Sequence, residues 1–140
     1  MRIGWTRLLA AALLAAAAGC GSASPTTPSP SAPAITTDDF SGSVAQLGSE
    51  SHVFAVAANG TVTIELTAVS PLTTMSLGVA VMTSDGTNCL AQISQNADAR
   101  TGAVALVGTA ATGNYCVRVY DSGNVQPSTA VGYTVQVVHP

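Results

Sequence analysis

The stretch Ser51–Thr67, SHVFAVAANGTVTIELT, decides the fold. Its second half alternates without a break, with Val62, Ile64 and Leu66 on one side and Thr61, Thr63, Glu65 and Thr67 on the other. Side chains of a strand point to opposite faces in turn, so this pattern predicts a strand with one buried face, whereas a helix would repeat every 3.6 residues. The first half carries His52, Phe54, Val56 and Ala58 on one face in the same way. Asn59-Gly60 lies between the two runs. Both residues tolerate φ > 0, so the pair predicts a two-residue hairpin. Asn59-Gly60-Thr61 also spells a glycosylation sequon, and the turn accounts for these residues without a glycan.

The same reading extends in both directions. Upstream, Phe40–Val44 is a weak first strand. Downstream, Ser70-Pro71 breaks the chain, and Met75–Val81 follows with Met75, Leu77, Val79 and Val81 on one face. Asp85-Gly86 is a turn, Asn88–Ile93 a short strand, Gln95–Gly102 a polar loop, Ala103–Val107 a strand and Gly108–Gly113 a turn-rich connection. Asn114–Tyr120 directs Tyr115, Val117 and Val119 one way and Cys116, Arg118 and Tyr120 the other. Asp121–Thr129 is a loop, and Gly132–Val138 closes the domain with Tyr133, Val135 and Val137 inward. Val, Thr, Ala, Ser and Gly dominate, which favours strands. About seven or eight short strands with regular turns over residues 35–140 predict an all-β fold, a single antiparallel β-sandwich.

The end of the chain carries a resemblance. Gly113-Asn114-Tyr115-Cys116-Val117-Arg118-Val119-Tyr120, then Tyr133-Thr134-Val135-Gln136-Val137, resembles the G-x-Y-x-v-x-V and Y-x-v-x-V strands of the bacterial pre-peptidase C-terminal (PPC) domain. Phe40-Ser41-Gly42-Ser43-Val44 and Phe54-Ala55-Val56 match its opening. The resemblance spans about residues 38–138 and implies a jelly-roll-like sandwich of the kind appended to secreted peptidases, some of which bind collagen or calcium. This chain differs in having no peptidase domain and in its Cys89 and Cys116.

Residues 1–19 read as a signal peptide. Arg2 and Arg7 flank Leu8–Ala18, eleven consecutive Leu and Ala residues. As a helix these reach roughly 16 Å at 1.5 Å per residue, about half of a bilayer core of roughly 30 Å, which suits a signal h-region and not a span. Ala17-Ala18-Gly19-Cys20 resembles the lipobox of bacterial lipoproteins, Leu-(Ala/Ser)-(Gly/Ala)-Cys. The resemblance implies cleavage before Cys20, a diacylglycerol on its sulfur and usually a third acyl chain on the new amino group. Two or three chains anchor firmly where one holds marginally. The expected location is the cell envelope, lipid-anchored. Gly21 stands where an Asp would signal inner-membrane retention in a diderm cell, so the outer membrane is favoured there. Gly21–Ala34, GSASPTTPSPSAPA, has no large apolar residue and cannot fold. With Cys20 it makes a disordered linker, residues 20–34, able to extend about 40 Å in a polyproline-like form.

Charge and cysteines bound the function. After the leader only Arg100 and Arg118 face seven acids, a formal charge of −5, and there is no lysine. A chain this acidic lacks the electrostatic footprint for nucleic acid. With Cys20 lipidated, Cys89 and Cys116 remain as an even pair, which in an exported setting reads as a disulfide. Closing a loop of about 28 residues contributes roughly 3.5 kcal/mol in the chain-entropy model.

Chemistry is sparse. His52 sits in a strand beside Phe54, and His139 is penultimate and expected to fray. There is no Gly-x-Ser-x-Gly elbow, no catalytic constellation, no metal centre and no cofactor motif. Asp38-Asp39, and Asp121 with Asn124, hold oxygens that suit calcium, without the spaced carboxylates of a calcium loop; turn and capping roles account for them. The expected function is a non-catalytic module presented at the membrane for an envelope protein, or an envelope-structural module. One alternative is a glycan-binding accessory, whose ligand surface would be Tyr120 with Arg118, Asp121 and Asn124. The other is a hydrolase or peptidase accessory, which would require a pocket joining His52 to an acid and a hydroxyl.

Overall fold

A computed structural model describes residues 29–140. The leader, Cys20 and linker residues 21–28 lie outside the described residues. Residues 29–35 are exposed and have no regular structure. Eight strands follow: β1 (Thr36–Val44), β2 (Ser49–Val56), β3 (Gly60–Ser70), β4 (Leu77–Ser84), β5 (Cys89–Ala99), β6 (Val104–Ala110), β7 (Gly113–Tyr120) and β8 (Val131–His139). There is no helix among the described residues.

The strands form two antiparallel sheets of four, ordered β1-β8-β3-β6 and β2-β7-β4-β5. The chain changes sheet at every connection except β4–β5. This is the jelly-roll arrangement of an eight-stranded double sheet. The core lies between the sheets, where Leu66, Leu77, Val79, Val117, Val135 and Val137 are fully buried. These are the inward positions that alternation marked in β3, β4, β7 and β8, so period 2 placed each strand's apolar face correctly.

Several expectations are corrected. Asn59-Gly60 does not make a hairpin, because β2 pairs with β7 while β3 pairs with β8 and β6. Neither residue takes the positive φ that a two-residue turn of this kind needs. Instead, the Asn59 side chain accepts the Thr112 backbone N–H at 2.9 Å. A Cβ on Gly60 would meet Pro140 Cγ at 2.7 Å, so Gly60 makes room for the chain terminus. Asp85-Gly86 does turn a hairpin: Asp85 Oδ1 accepts the Thr87 and Asn88 amides at 2.8 and 2.6 Å, and Gly86 has φ 97°.

Gln95–Gly102 is not a loop, since β5 runs on to Ala99. β5 is an edge strand with β4 as its only ladder neighbour and with register shifts along that pairing. Its Gln and Asn residues are those of an edge that faces water, which a sequence pattern does not separate from a loop. β6 likewise extends to Ala110, and β1 begins four residues before Phe40 to pair along its whole length with β8. His139 is not frayed. It ends β8 at 3% exposure, its Nε2 is 3.0 Å from Asp38 Oδ2, and its ring lies 5.4 Å from that of Phe54.

The disulfide is present. Cys89 at the start of β5 and Cys116 in β7 are bonded, with Cα atoms 5.7 Å apart. Cys116 points away from the core and is nonetheless fully buried, since Cys89 covers it.

Candidate functional site

The four residues of the expected ligand surface come together where β7 runs into the loop after it, and each already has an internal partner. The Tyr120 ring lies over Gly78 of β4, occupying the space a Cβ there would take. Its hydroxyl donates to Gln95 Oε1 at 3.2 Å, and the Arg118 guanidinium carbon is 6.0 Å from the ring centroid. Arg118 donates to Ser49 Oγ at 2.9 Å. Tyr120 and Arg118 are both half-buried on the outer face of the β2-β7-β4-β5 sheet. Asn124 donates to the Ser76 carbonyl and hydroxyl, and it lines an open hollow with Arg100, Leu72 and Met75. Arg100 is paired with Asp98 at 3.0 Å.

Asp121 organises two loops. Its Oδ1 accepts the amides of Gly123, Asn124 and Val125, and its Oδ2 accepts that of Leu47, whose φ is 58°. Partial burial pushes this carboxyl up, but the four N–H donors outweigh it and hold it below the usual carboxylate range. A depressed carboxyl contributes stability that is present above its unfolded pKa, near 4, and is lost as pH falls through the lower folded value. Asp121→Asn is therefore expected to melt below the wild type at pH 7. The gap should close as the pH falls through the lowered folded value, below which the wild-type carboxyl is itself neutral. A gap of constant size from pH 7 to pH 2 would show that the charge does not matter.

The two histidines lie where β1 and β2 close one side of the sandwich. The Glu50 carboxylate accepts the Ser43 amide at 3.0 Å and the Tyr133 hydroxyl at 3.1 Å. Tyr133 has one proton and gives it to Glu50, so His52 Nε2, 2.7 Å away, must donate to the phenol oxygen. His52 stacks on Phe40 at 4.9 Å and 10°. Burial, the Glu50 charge and the hydrogen bond to it all push the Tyr133 hydroxyl up from its ordinary value. His52 thus meets a hydroxyl and an acid, but the acid binds the hydroxyl and not the imidazole. The proton chain leaves no activated nucleophile and instead bolts β1 and β8 of one sheet to β2 of the other. Among the described residues, no group of three or more His, Cys, Asp or Glu is arranged to hold a metal ion.

The third feature was not visible in the sequence. At the opposite side, β5 and β6 diverge and leave an apolar groove of about 90 Å³ that opens to solvent. Val62, Ile64, Val81, Ile93, Leu106 and Tyr115 line it, and no charged residue does. Asn96 Nδ2 donates to the Ala105 carbonyl at 3.0 Å and ties the two strands together at one end. Ile93 is the extra residue of a register shift between Ser94 and Gln92. Leu90, Ile93, Val104 and Val107 on these strands are each more than half exposed. The available signal was this cluster of aliphatic residues in runs without clean alternation.

No protein-family model matches the chain, and no curated protein is detectably similar to it.

Proposed function

We propose that the chain is an exported lipoprotein, anchored through Cys20, whose sandwich serves as a non-catalytic interaction module held off the membrane by the Pro/Ser linker. The observation that carries this reading is the asymmetry of the sandwich. One open side is sealed by Phe40, His52, Tyr133 and Glu50, each with a partner. The other leaves apolar surface in water along a groove between two edge strands. Solvated apolar surface concentrated beside unpaired edges marks an interaction site. The tether resembles that of bacterial lipoproteins, and the sandwich is of the kind that resemblance to PPC domains implies. A second reading, a glycan-binding accessory, is supported by the pairing of Arg118 with Tyr120 on one sheet face.

A photo-crosslinking amino acid placed at Val107 or at Tyr120 in cells separates the two. Capture of a recurrent protein from Val107, with nothing from Tyr120, supports the interaction module. Capture of polysaccharide from Tyr120 alone supports the second reading. Cys20→Ser is expected to move the protein from the membrane fraction to the soluble fraction; unchanged membrane retention would overturn the anchor.

A further inference from the structure

We infer that β6 accepts an extended apolar strand of another protein, basic at one end, as a fifth strand of the β1-β8-β3-β6 sheet, with one of its apolar side chains seated in the groove. This rests on the interaction-module reading and names the partner's chemistry.

The first observation is a free ladder. Thr67 Oγ1 of β3 donates to the Thr134 carbonyl of β8, so that carbonyl faces β3. Along an antiparallel strand the N–H and C=O of alternate residues face the same side. Gln136 and Val138 thus face β3, Thr63 opposite Val138 faces β8, and Val107 and Thr109, opposite Thr63 and Thr61, present theirs to the open side as a template for an incoming strand.

The second observation is Gly108. It pairs with buried Val62, so its side-chain position faces the other sheet, into the groove. A Cβ there would meet nothing within 4 Å, and its φ lies outside the left-handed region. Neither backbone nor packing demands a glycine. Glycine in a strand interior weakens the strand, so the chain forgoes stability to keep this space empty. A pocket directly beside a free ladder is the geometry of strand addition, in which main-chain bonds give affinity and a side-chain pocket gives specificity.

The third observation is charge. The groove is uncharged, and Glu65 stands opposite Val104 at the start of β6. Among the described residues Glu65 makes no ion pair. Among the described residues seven acids face two arginines, so the domain as a whole is negatively charged. A second copy would bring the same sign of charge, whereas a strand flanked by lysine or arginine meets opposite charge at Glu65.

The probe is a short fluorescent peptide alternating Val and Thr, with a central Phe and a pair of lysines at one end, added to the full mature chain. Binding is expected to slow amide exchange in Val104–Ala110. Two variants should each weaken binding at least tenfold: Gly108→Leu, which fills the groove, and Val107→Pro, which removes an N–H the fold does not use. Both should melt within a few degrees of the wild type, and Gly108→Leu at or above it. Exchanging the lysines for glutamates should also weaken binding. No binding to the wild type, binding insensitive to both variants, or protection at β1 instead of β6 overturns the proposal. A wild-type dimer in sedimentation that Val107→Pro dissolves would assign the edge to a second copy and also overturn it. If Val107 captures a protein in cells and that capture survives Val107→Pro with the crosslinker moved to Thr109, strand addition fails while the interaction module stands.

Discussion

Replacing both Cys89 and Cys116 by alanine is expected to lower the stability of the domain by about 3.5 kcal/mol. For a domain of this size that corresponds to a fall in Tm of roughly 15–25 °C. The disulfide closes a loop with a sequence separation of 27, containing nearly all of β5, the whole of β6 and the start of β7. These are the elements with least support elsewhere. β5 has β4 as its only ladder neighbour, through an interrupted register, and β6 has only β3. The bond joins the start of β5 to β7, two places away in the sheet, so its loss also frees the strand that forms one wall of the groove. Amide exchange in β5 should accelerate more than exchange in β8, which is paired on both sides. Urea unfolding of the oxidised wild type and the double variant checks the magnitude. A midpoint shift equivalent to less than 1 kcal/mol would show that the loop is already ordered without the bond.

The second large effect is expected at the sealed side. Gly42→Val should destabilise the domain by about 2–3 kcal/mol, through overpacking and loss of hydrogen bonds to a partly buried carboxylate. The space a Cβ would take at Gly42 is occupied by the Glu50 carboxylate and lies 2.7 Å from the Tyr133 hydroxyl. Any side chain there expels Glu50, which then releases Ser43 and leaves Tyr133 with only His52. The loss is steric and not a matter of backbone conformation, so a double-mutant cycle identifies it. In the Glu50→Ala background the valine has a vacant site, and its cost should fall by at least half. Additive costs would mean that Gly42 matters for another reason. The contrast with Gly108 is direct: one glycine holds space that a carboxylate fills, the other holds space that nothing in the chain fills.

Much of the architecture is local information. Alternation in Thr61–Thr67, Asn114–Tyr120 and Gly132–Val138 marks the inward residues, because a strand side chain's face depends only on its own parity. The cysteine pair follows from counting, since setting Cys20 aside for its lipobox resemblance leaves two to bond. The candidate ligand residues were legible as neighbours for the same reason: Arg118 and Tyr120 share a strand face, and Asp121 and Asn124 share the loop that follows. Their uses were not legible. The backbone that Asp121 binds includes Leu47, and the glycine under Tyr120 is Gly78, both distant in the chain.

What the sequence determined by itself is therefore the set of strands, the buried face of each and the cysteine pair. Only the tertiary structure decided which strands are neighbours. Asn59-Gly60 has the chemistry of a hairpin turn, yet the strands it joins lie in different sheets, because pairing with β7 and β8 satisfies their ladders and buries both apolar faces. It also decided which strands are edges, and so that Gln95–Ala99 is strand, that His139 is buried and that Gly108 opens a groove. Parity along a strand is a property of a few adjacent residues, whereas pairing, edges and cavities arise from contacts between segments far apart in the chain.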